Sequence, residues 1–181
     1  KEGVELRVHP TLIPERRLIA NVDGVMNAVL VKGDAVGPTL YYGAGAGAEP
    51  TASAVVADLV DVVRTLTSDP ENRVPHLAFQ PDALSDLPIL PMDEVETAYY
   101  VRLQCQDKPG VLANVASILG DSDISIEAIM QKEPAGDAPA TIILLTHRVN
   151  EGKMNAAIDA IEGLDTVIGE VTRIRMETLD A

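Results

Sequence analysis

The run Gly43-Ala44-Gly45-Ala46-Gly47-Ala48 offers the first chemistry in this 181-residue sequence. It fits G-x-G-x-x-A, follows a β-like segment and opens a helical one. Glycines let a backbone approach a ligand closely, and free amides at a helix start favour an anion. A dinucleotide site also needs an acidic residue about 20 residues on, at the end of a second strand. Here that distance falls in SDPENRVP, which has no strand character. Two readings stay open: a turn that lets strand and helix pack closely, or a ligand-approaching loop that is not the primary pyrophosphate site. The second candidate is Asp107-Lys108-Pro109-Gly110, between a strand and a helix. The amides of Gly110, Val111 and Leu112 would be unpaired in the first helical turn and able to bind a carboxylate. Asp107 stands where it could meet an ammonium group. The alternative is an ordinary turn with proline near the helix start.

Other reactive residue types are scattered. His9, His76 and His147 lie far from one another and from Cys105 in sequence, so a zinc site is not expected. His9 precedes Pro10 and reads as a loop hydrogen-bonder. Asn27 interrupts an apolar strand and is expected to be a core amide bonded to backbone. Cys105, at a strand end with no neighbouring cation to activate it, reads as a small core residue. No serine or cysteine is paired with a recognisable base, and Lys1 and Lys32 are the only lysines of the first half.

Composition narrows the partners. Hydrophobic residues make up 46%, which is globular, while 28 acids against 14 Lys and Arg give a net charge of −14. With one Phe, four Tyr and no Trp, neither base stacking nor phosphate neutralisation is provided for, so nucleic acid and anionic membranes are poor partners. The single cysteine excludes an intrachain disulfide and fits a reducing cytoplasm. No run approaches the roughly 18 apolar residues of a membrane span.

These candidates must be positioned by elements of two kinds. In residues 1–67, alternation of Val4, Leu6 and Val8 suggests a strand, LIANV (18–22) and VMNAVLVK (25–32) two more, and Lys32-Gly33-Asp34 a hairpin turn. The 25–32 strand is apolar on both faces apart from Asn27, so it should be covered on both sides. A helix follows, with Pro50 at its first position and an apolar stripe of Val55, Val56, Leu59, Val62, Val63 and Leu66. Residues 68–96 hold five prolines and no sustained period, and 49–96 carries ten acids against two bases, which predicts an extended acidic linker. Residues 97–177 then alternate as βαββαβ, the ferredoxin-like arrangement. In that region Gly120 and Gly163 are expected to end the two helices, Asn150 to cap the second, and Ile124, Ile126, Ala128 and Met130 to alternate along a strand. The second half can close its own core. The first cannot, and the chain starts without Met inside an apparent strand, so residues 1–67 are expected to be the tail of a larger domain.

VELRVHPTLIP, NVDGVMNAVLVKGDAVGPTLYYGAGAG and PTASAVVADLVDV together resemble bacterial homoserine dehydrogenase, over residues 1–67. PMDEVETAYYVRLQ with DKPGVLANVASILGDSDISIEAIMQK resembles the ACT regulatory domain at the C-terminus of the same enzymes. The resemblance implies an α/β (α+β) chain: a partial substrate and dimerisation sheet with a return helix (1–67), a linker (68–96), and an ACT domain (97–177). It implies an NAD- or NADP-dependent oxidoreductase interconverting homoserine and aspartate semialdehyde, inhibited by threonine, working as a cytoplasmic homodimer. The family's nucleotide fingerprint, catalytic lysine and acidic substrate ligands are expected upstream, so the chain alone is expected to be inactive. Carried over are Gly43, Gly45, Ala46, Gly47, Glu49 and Thr51 beside the cofactor, near the nicotinamide. For an amino-acid effector the resemblance implies Asp107, Gly110, Val111, Leu112 and Ala113, with Ile124, Ser125 and Ile126 from a second copy. The alternative is a non-enzymatic amino-acid-sensing and dimerisation module, and a third reading is an ACT-bearing enzyme of another pathway.

Overall fold

The computed structural model describes residues 3–69, 78–132 and 138–179. The elements, in chain order, are β1 (Thr11–Leu12), β2 (Met26–Gly33), β3 (Gly37–Ala44), α1 (Ala48–Leu66), β4 (Glu96–Cys105), α2 (Val111–Asp121), β5 (Ile126–Lys132), β6 (Ala140–Thr146), β7 (Val149–Asn150), α3 (Glu151–Glu162) and β8 (Val167–Met176). They divide between two compact units. One comprises the described residues of Lys1–Pro14 with Leu87–Thr178, the other those of Glu15–Asp86 with Leu179–Ala181.

The first unit is built on a sheet of order β1-β8-β4-β6-β5, with β7 pairing the start of β4. Without β1 this is the ferredoxin-like sheet that the βαββαβ pattern predicts. Its core is made by alternate residues: Tyr99, Val101, Leu103 and Cys105 of β4 and Ala140, Ile142 and Leu144 of β6 are buried, and Val111, Val115 and Leu119 of α2 with Met154, Ala157 and Ile161 of α3 close over them. Asn150 caps α3 as expected, its Oδ1 accepting from the Gly152 amide at 3.1 Å. α2 runs through Gly120 to Asp121 instead of stopping there, and the residue after it, Ser122, bonds back to the Ile118 carbonyl. Gly163 does end α3, though with an ordinary right-handed φ of −73° that any residue could adopt.

The strand expected at 4–8 does not form. Val4 makes one bridge to Ile89, Leu6 and Val8 are exposed, and the ladder forms further on, where Thr11 and Leu12 pair in parallel with Arg175 and Met176 of β8. The pairing that does form uses the edge of β8 at 175–176, and the Glu177 amide completes the join on the Leu12 carbonyl at 3.0 Å. His9 is a loop hydrogen-bonder, as read from sequence: its Nδ1 lies 2.9 Å from the Thr11 hydroxyl and 3.1 Å from the Pro10 carbonyl. The tail of the expected linker is also structured: 92–94 is a 3-10 turn, and Val95 behind it is buried.

In the second unit β2 and β3 form a two-stranded antiparallel hairpin that turns through 34–36, two residues later than the expected Lys32-Gly33-Asp34, because Lys32 and Gly33 still pair with Pro38 and Gly37. LIAN (18–21) is a 3-10 turn rather than a strand, because the Asn21 side chain donates to the Glu15 and Arg17 carbonyls and fixes a turn. Pro50 is the third residue of α1, not its first. Val29, Leu30 and Val31 are exposed rather than covered, and the six apolar residues of the α1 stripe are each more than half exposed. Asn27 is likewise exposed, not a core amide, and its Nδ2 donates to the Val25 carbonyl at 3.3 Å.

Candidate functional site

Gly110 sits at φ +92° and ψ −15° as the residue before α2, a left-handed conformation that glycine adopts without cost. It turns the chain from β4 into α2 and leaves the helix start open. A cavity of about 510 Å³ lies there, lined by residues 105–112 with Gln131 and Ile142. A β-carbon on Gly110 would meet nothing within 4 Å, so its place is open space at the cavity mouth. Of the three amides expected to be free, that of Val111 leans on the Lys108 carbonyl at 3.4 Å and those of Gly110 and Leu112 have no partner among the described residues, while Ala113 does not line the cavity. An anion therefore finds amides pointing at it and the positive end of a helix dipole. Asp107 supplies the opposite charge on the same wall.

The other half of the expected set is not part of this cavity. Ile124 is buried in the core of its own domain, which corrects any side-chain role for it with a ligand. Its amide donates to Leu119, and the Ser125 carbonyl accepts from His147 N–H at 3.0 Å. Ile126 is half-buried and begins the edge strand. β5 carries a register shift between Ile126 and Ala128, so the expected inward alternation fails and Ala128 and Met130 are exposed. Sequence reasoning missed Gln106, Gln131 and Ile142 as lining residues. Gln131 and Ile142 face one another across the β5–β6 pair, a register that only the assembled sheet reveals.

Cys105 lines the same cavity from beneath. It is buried and its Sγ lies 3.7 Å from the Ala140 carbonyl. Burial pushes its thiol pKa up, and the Asp107 charge pushes further the same way. The thiol stays protonated, as a core cysteine should.

A charged cluster braces α3 against the sheet. The Glu151 carboxylate, 3% exposed, takes two hydrogen bonds from Arg175 (2.5 and 2.9 Å), one from the Tyr99 hydroxyl (2.5 Å), and an ion pair from Arg173 at 3.3 Å. Burial would raise the Glu151 carboxyl, but the hydrogen bonds from Arg175 and Tyr99 and the two guanidinium charges outweigh it and hold it below the usual range. Tyr99 is pushed strongly upward by burial, then by its bond to Glu151 and that residue's charge. Sequence pattern gives no warning of this cluster, since an acid at the first position of a helix reads as an ordinary surface residue.

The glycine run occupies the turn from β3 to α1. Gly43 is the strand partner of Asn27, Gly47 sits at φ +126°, and Glu49 and Thr51 stand in the first turn of α1, with Thr51 N–H already on the Gly47 carbonyl at 3.1 Å. A phosphate would meet the Glu49 carboxylate and, at Pro50, a missing N–H, so this is a poor phosphate cradle. A β-carbon at Gly43 would meet nothing within 4 Å, which leaves room for an uncharged, flat group to lie on the backbone. Among the described residues no group of three His, Cys, Asp or Glu could hold a metal.

The ferredoxin-like sheet, with a cavity at its first strand–helix turn, defines the class. Residues 99–166 match the family model described as ACT domain, and residues 2–60 match the one described as homoserine dehydrogenase. The chain is 68% identical over 181 residues to a homoserine dehydrogenase of Pseudomonas aeruginosa and 59% identical over 179 residues to one of Methylobacillus glycogenes. Those alignments cover 99% and 98% of this chain and 42% of each relative. A crystal structure of a homoserine dehydrogenase from Thiobacillus denitrificans superposes with a TM-score of 0.90 at 69% identity, over 99% of this chain and 40% of that one. Over nearly its whole length the chain is similar to one part of homoserine dehydrogenases, the ACT domain included. It spans about 42% of the length of the curated relatives it matches.

Proposed function

We propose that this chain is the regulatory and cofactor-facing part of an NAD(P)-dependent homoserine dehydrogenase, and that a small amino acid, threonine, inhibits the enzyme from the cavity at Gly110. The observation that carries the regulatory reading is that cavity: unpartnered amides of Gly110 and Leu112 suit a carboxylate, and Asp107 suits an ammonium. A zwitterion matches both, whereas a nucleotide phosphate brings no ammonium for Asp107. The exposed edge strand β5 suits pairing with a second copy, which would bring backbone groups near Ile124–Ile126 to the partner's effector. In the second unit the open face over Gly43 suits the nicotinamide end of NAD or NADP; hydride transfer is what that cofactor supplies when bound. The apolar faces of β2 and α1 suit coverage by the remainder of such an enzyme. A cytoplasmic location fits a biosynthetic oxidoreductase, and no helix among the described residues is long and apolar enough to cross a membrane. The chain alone, lacking a recognisable nucleotide fingerprint and catalytic lysine, is expected to reduce neither NAD nor NADP with homoserine.

The test is feedback inhibition in the whole enzyme. Gly110→Leu should abolish inhibition by threonine and leave the uninhibited kcat nearly intact, because its side chain enters the cavity and not the core. A variant inhibited like wild type would show that this cavity is not the effector site.

A further inference from the structure

We propose that Asn27 is a positioning residue for the cofactor: its side chain braces the glycine loop at Gly45 and so fixes the open backbone face at Gly43. The proposal rests on the reading that this loop meets the nicotinamide cofactor, and adds a residue outside the loop itself. Asn27 is the one polar residue in the apolar run Val25–Val31, and among the described residues it lies outside the buried core. Across the hairpin its strand partner is Gly43. Directly opposed residues place their side chains on one face about 4.5–5.5 Å apart, so Asn27 rises beside the bare backbone of Gly43. From there it leans over the next glycine of the run. A β-carbon on Gly45 would overlap the Asn27 carboxamide nitrogen and lie 2.7 Å from its Cγ and 3.3 Å from its Cβ.

Two of the glycines thus have different reasons. Gly45 is glycine because Asn27 fills the space its side chain would need. Gly43 has no such neighbour, and its space is open. The Asn27 Nδ2 is tied to the Val25 carbonyl at 3.3 Å, which holds the carboxamide in place against the loop. Loss of that brace frees the loop at Gly45, two residues from the face on which the cofactor lies.

The experiment uses the whole enzyme and measures NADPH and NADH binding by calorimetry beside steady-state kinetics. Asn27→Ala is expected to weaken cofactor binding about tenfold and raise the cofactor KM in step, with kcat within threefold and the homoserine KM unchanged. Gly45→Ala should do the same, because its methyl drives against the carboxamide. In the Asn27→Ala background, where that space is vacated, Gly45→Ala should add less than twofold. Unchanged cofactor affinity in Asn27→Ala, or effects of the two substitutions that multiply, overturns the proposal. Should Asn27→Ala fail to fold, Asn27→Ser shortens the same brace and carries the same expectation. Gly43→Ala separates the two levels of the argument. If its methyl leaves cofactor binding unchanged, the loop does not meet the cofactor and the underlying reading falls. If it weakens binding while Asn27→Ala does not, only the role of Asn27 falls.

Discussion

Replacing Glu151 with Gln removes a nearly inaccessible negative charge and strands the two guanidinium groups that surround it. Breaking a buried ion pair by deleting one partner costs about 3–5 kcal/mol. The Arg175 and Arg173 side chains keep 19% and 25% of their surface, so water recovers part of that loss. Glu151 also opens α3, where its charge meets the positive end of the helix and adds about 0.3–1 kcal/mol. A destabilisation of about 2–4 kcal/mol results, which for a domain of this size lowers Tm by about 10–25 °C. Tyr99→Phe removes one donor to the same carboxylate and should cost about 1 kcal/mol, and the double variant should lose less than the sum. Urea unfolding of the 181-residue chain, followed by circular dichroism, measures all three. The pH dependence has a defined sign. The folded carboxyl lies below its ordinary value of 4.5, so its contribution is complete above that pH and is lost as pH falls through the depressed value. Tyr99 lies above its ordinary value of 10.0, so its contribution is complete below that pH and is lost on further alkalinisation. Glu151→Gln should flatten the acid limb and also shrink the alkaline one, because the Glu151 bond and charge help to raise Tyr99; burial of the phenol leaves the remainder. A loss under 1 kcal/mol with an unchanged acid limb would refute the brace.

Two further outcomes follow from single contacts. Cys105, buried with its thiol held protonated, should react with a thiol reagent at neutral pH only at the rate at which the domain opens, and at full speed in denaturant. Asn150→Ala removes the cap on the Gly152 amide and should cost about 1 kcal/mol in urea unfolding, while Asn150→Asp should keep most of that stability.

Legibility in the sequence follows where the burial energy comes from. Residues 97–177 read correctly because each element buries one face within the same domain, so the periods of two and 3.6 survive undisturbed in β4, α2, β6 and α3. The alternation in β5 predicts the wrong inward face, since a register shift breaks it and an edge has few neighbours to enforce one. Val4, Leu6 and Val8 alternate like a strand, yet pairing depends on where a free edge lies, which no local pattern encodes. LIAN failed for a local reason that was visible in principle: Asn21 can bond backwards to the Glu15 and Arg17 carbonyls and hold a turn. The turn at Gly110 was legible from its residue types, but Gln131 and Ile142, which complete the cavity, come from strands brought there by the sheet. The Glu151 cluster and the contact of Asn27 with Gly45 are tertiary, and residue spacing does not announce them. His76 lies outside the described residues.

Whether the cavity at Gly110 takes an amino acid is measured directly by titration calorimetry of the 181-residue chain with threonine, with isoleucine, methionine and lysine as controls. A saturable threonine heat is expected in the wild-type chain. Gly110→Leu should abolish it by filling the cavity and Asp107→Asn should weaken it by removing the ammonium partner, both with the circular dichroism of the folded chain. Leu at φ +92° carries a backbone strain of about 1–2 kcal/mol, which a folded domain can absorb and urea unfolding will register separately. If none of the four amino acids binds at millimolar concentration to the folded wild-type chain, the ACT domain is a structural pairing unit and the regulatory account is wrong.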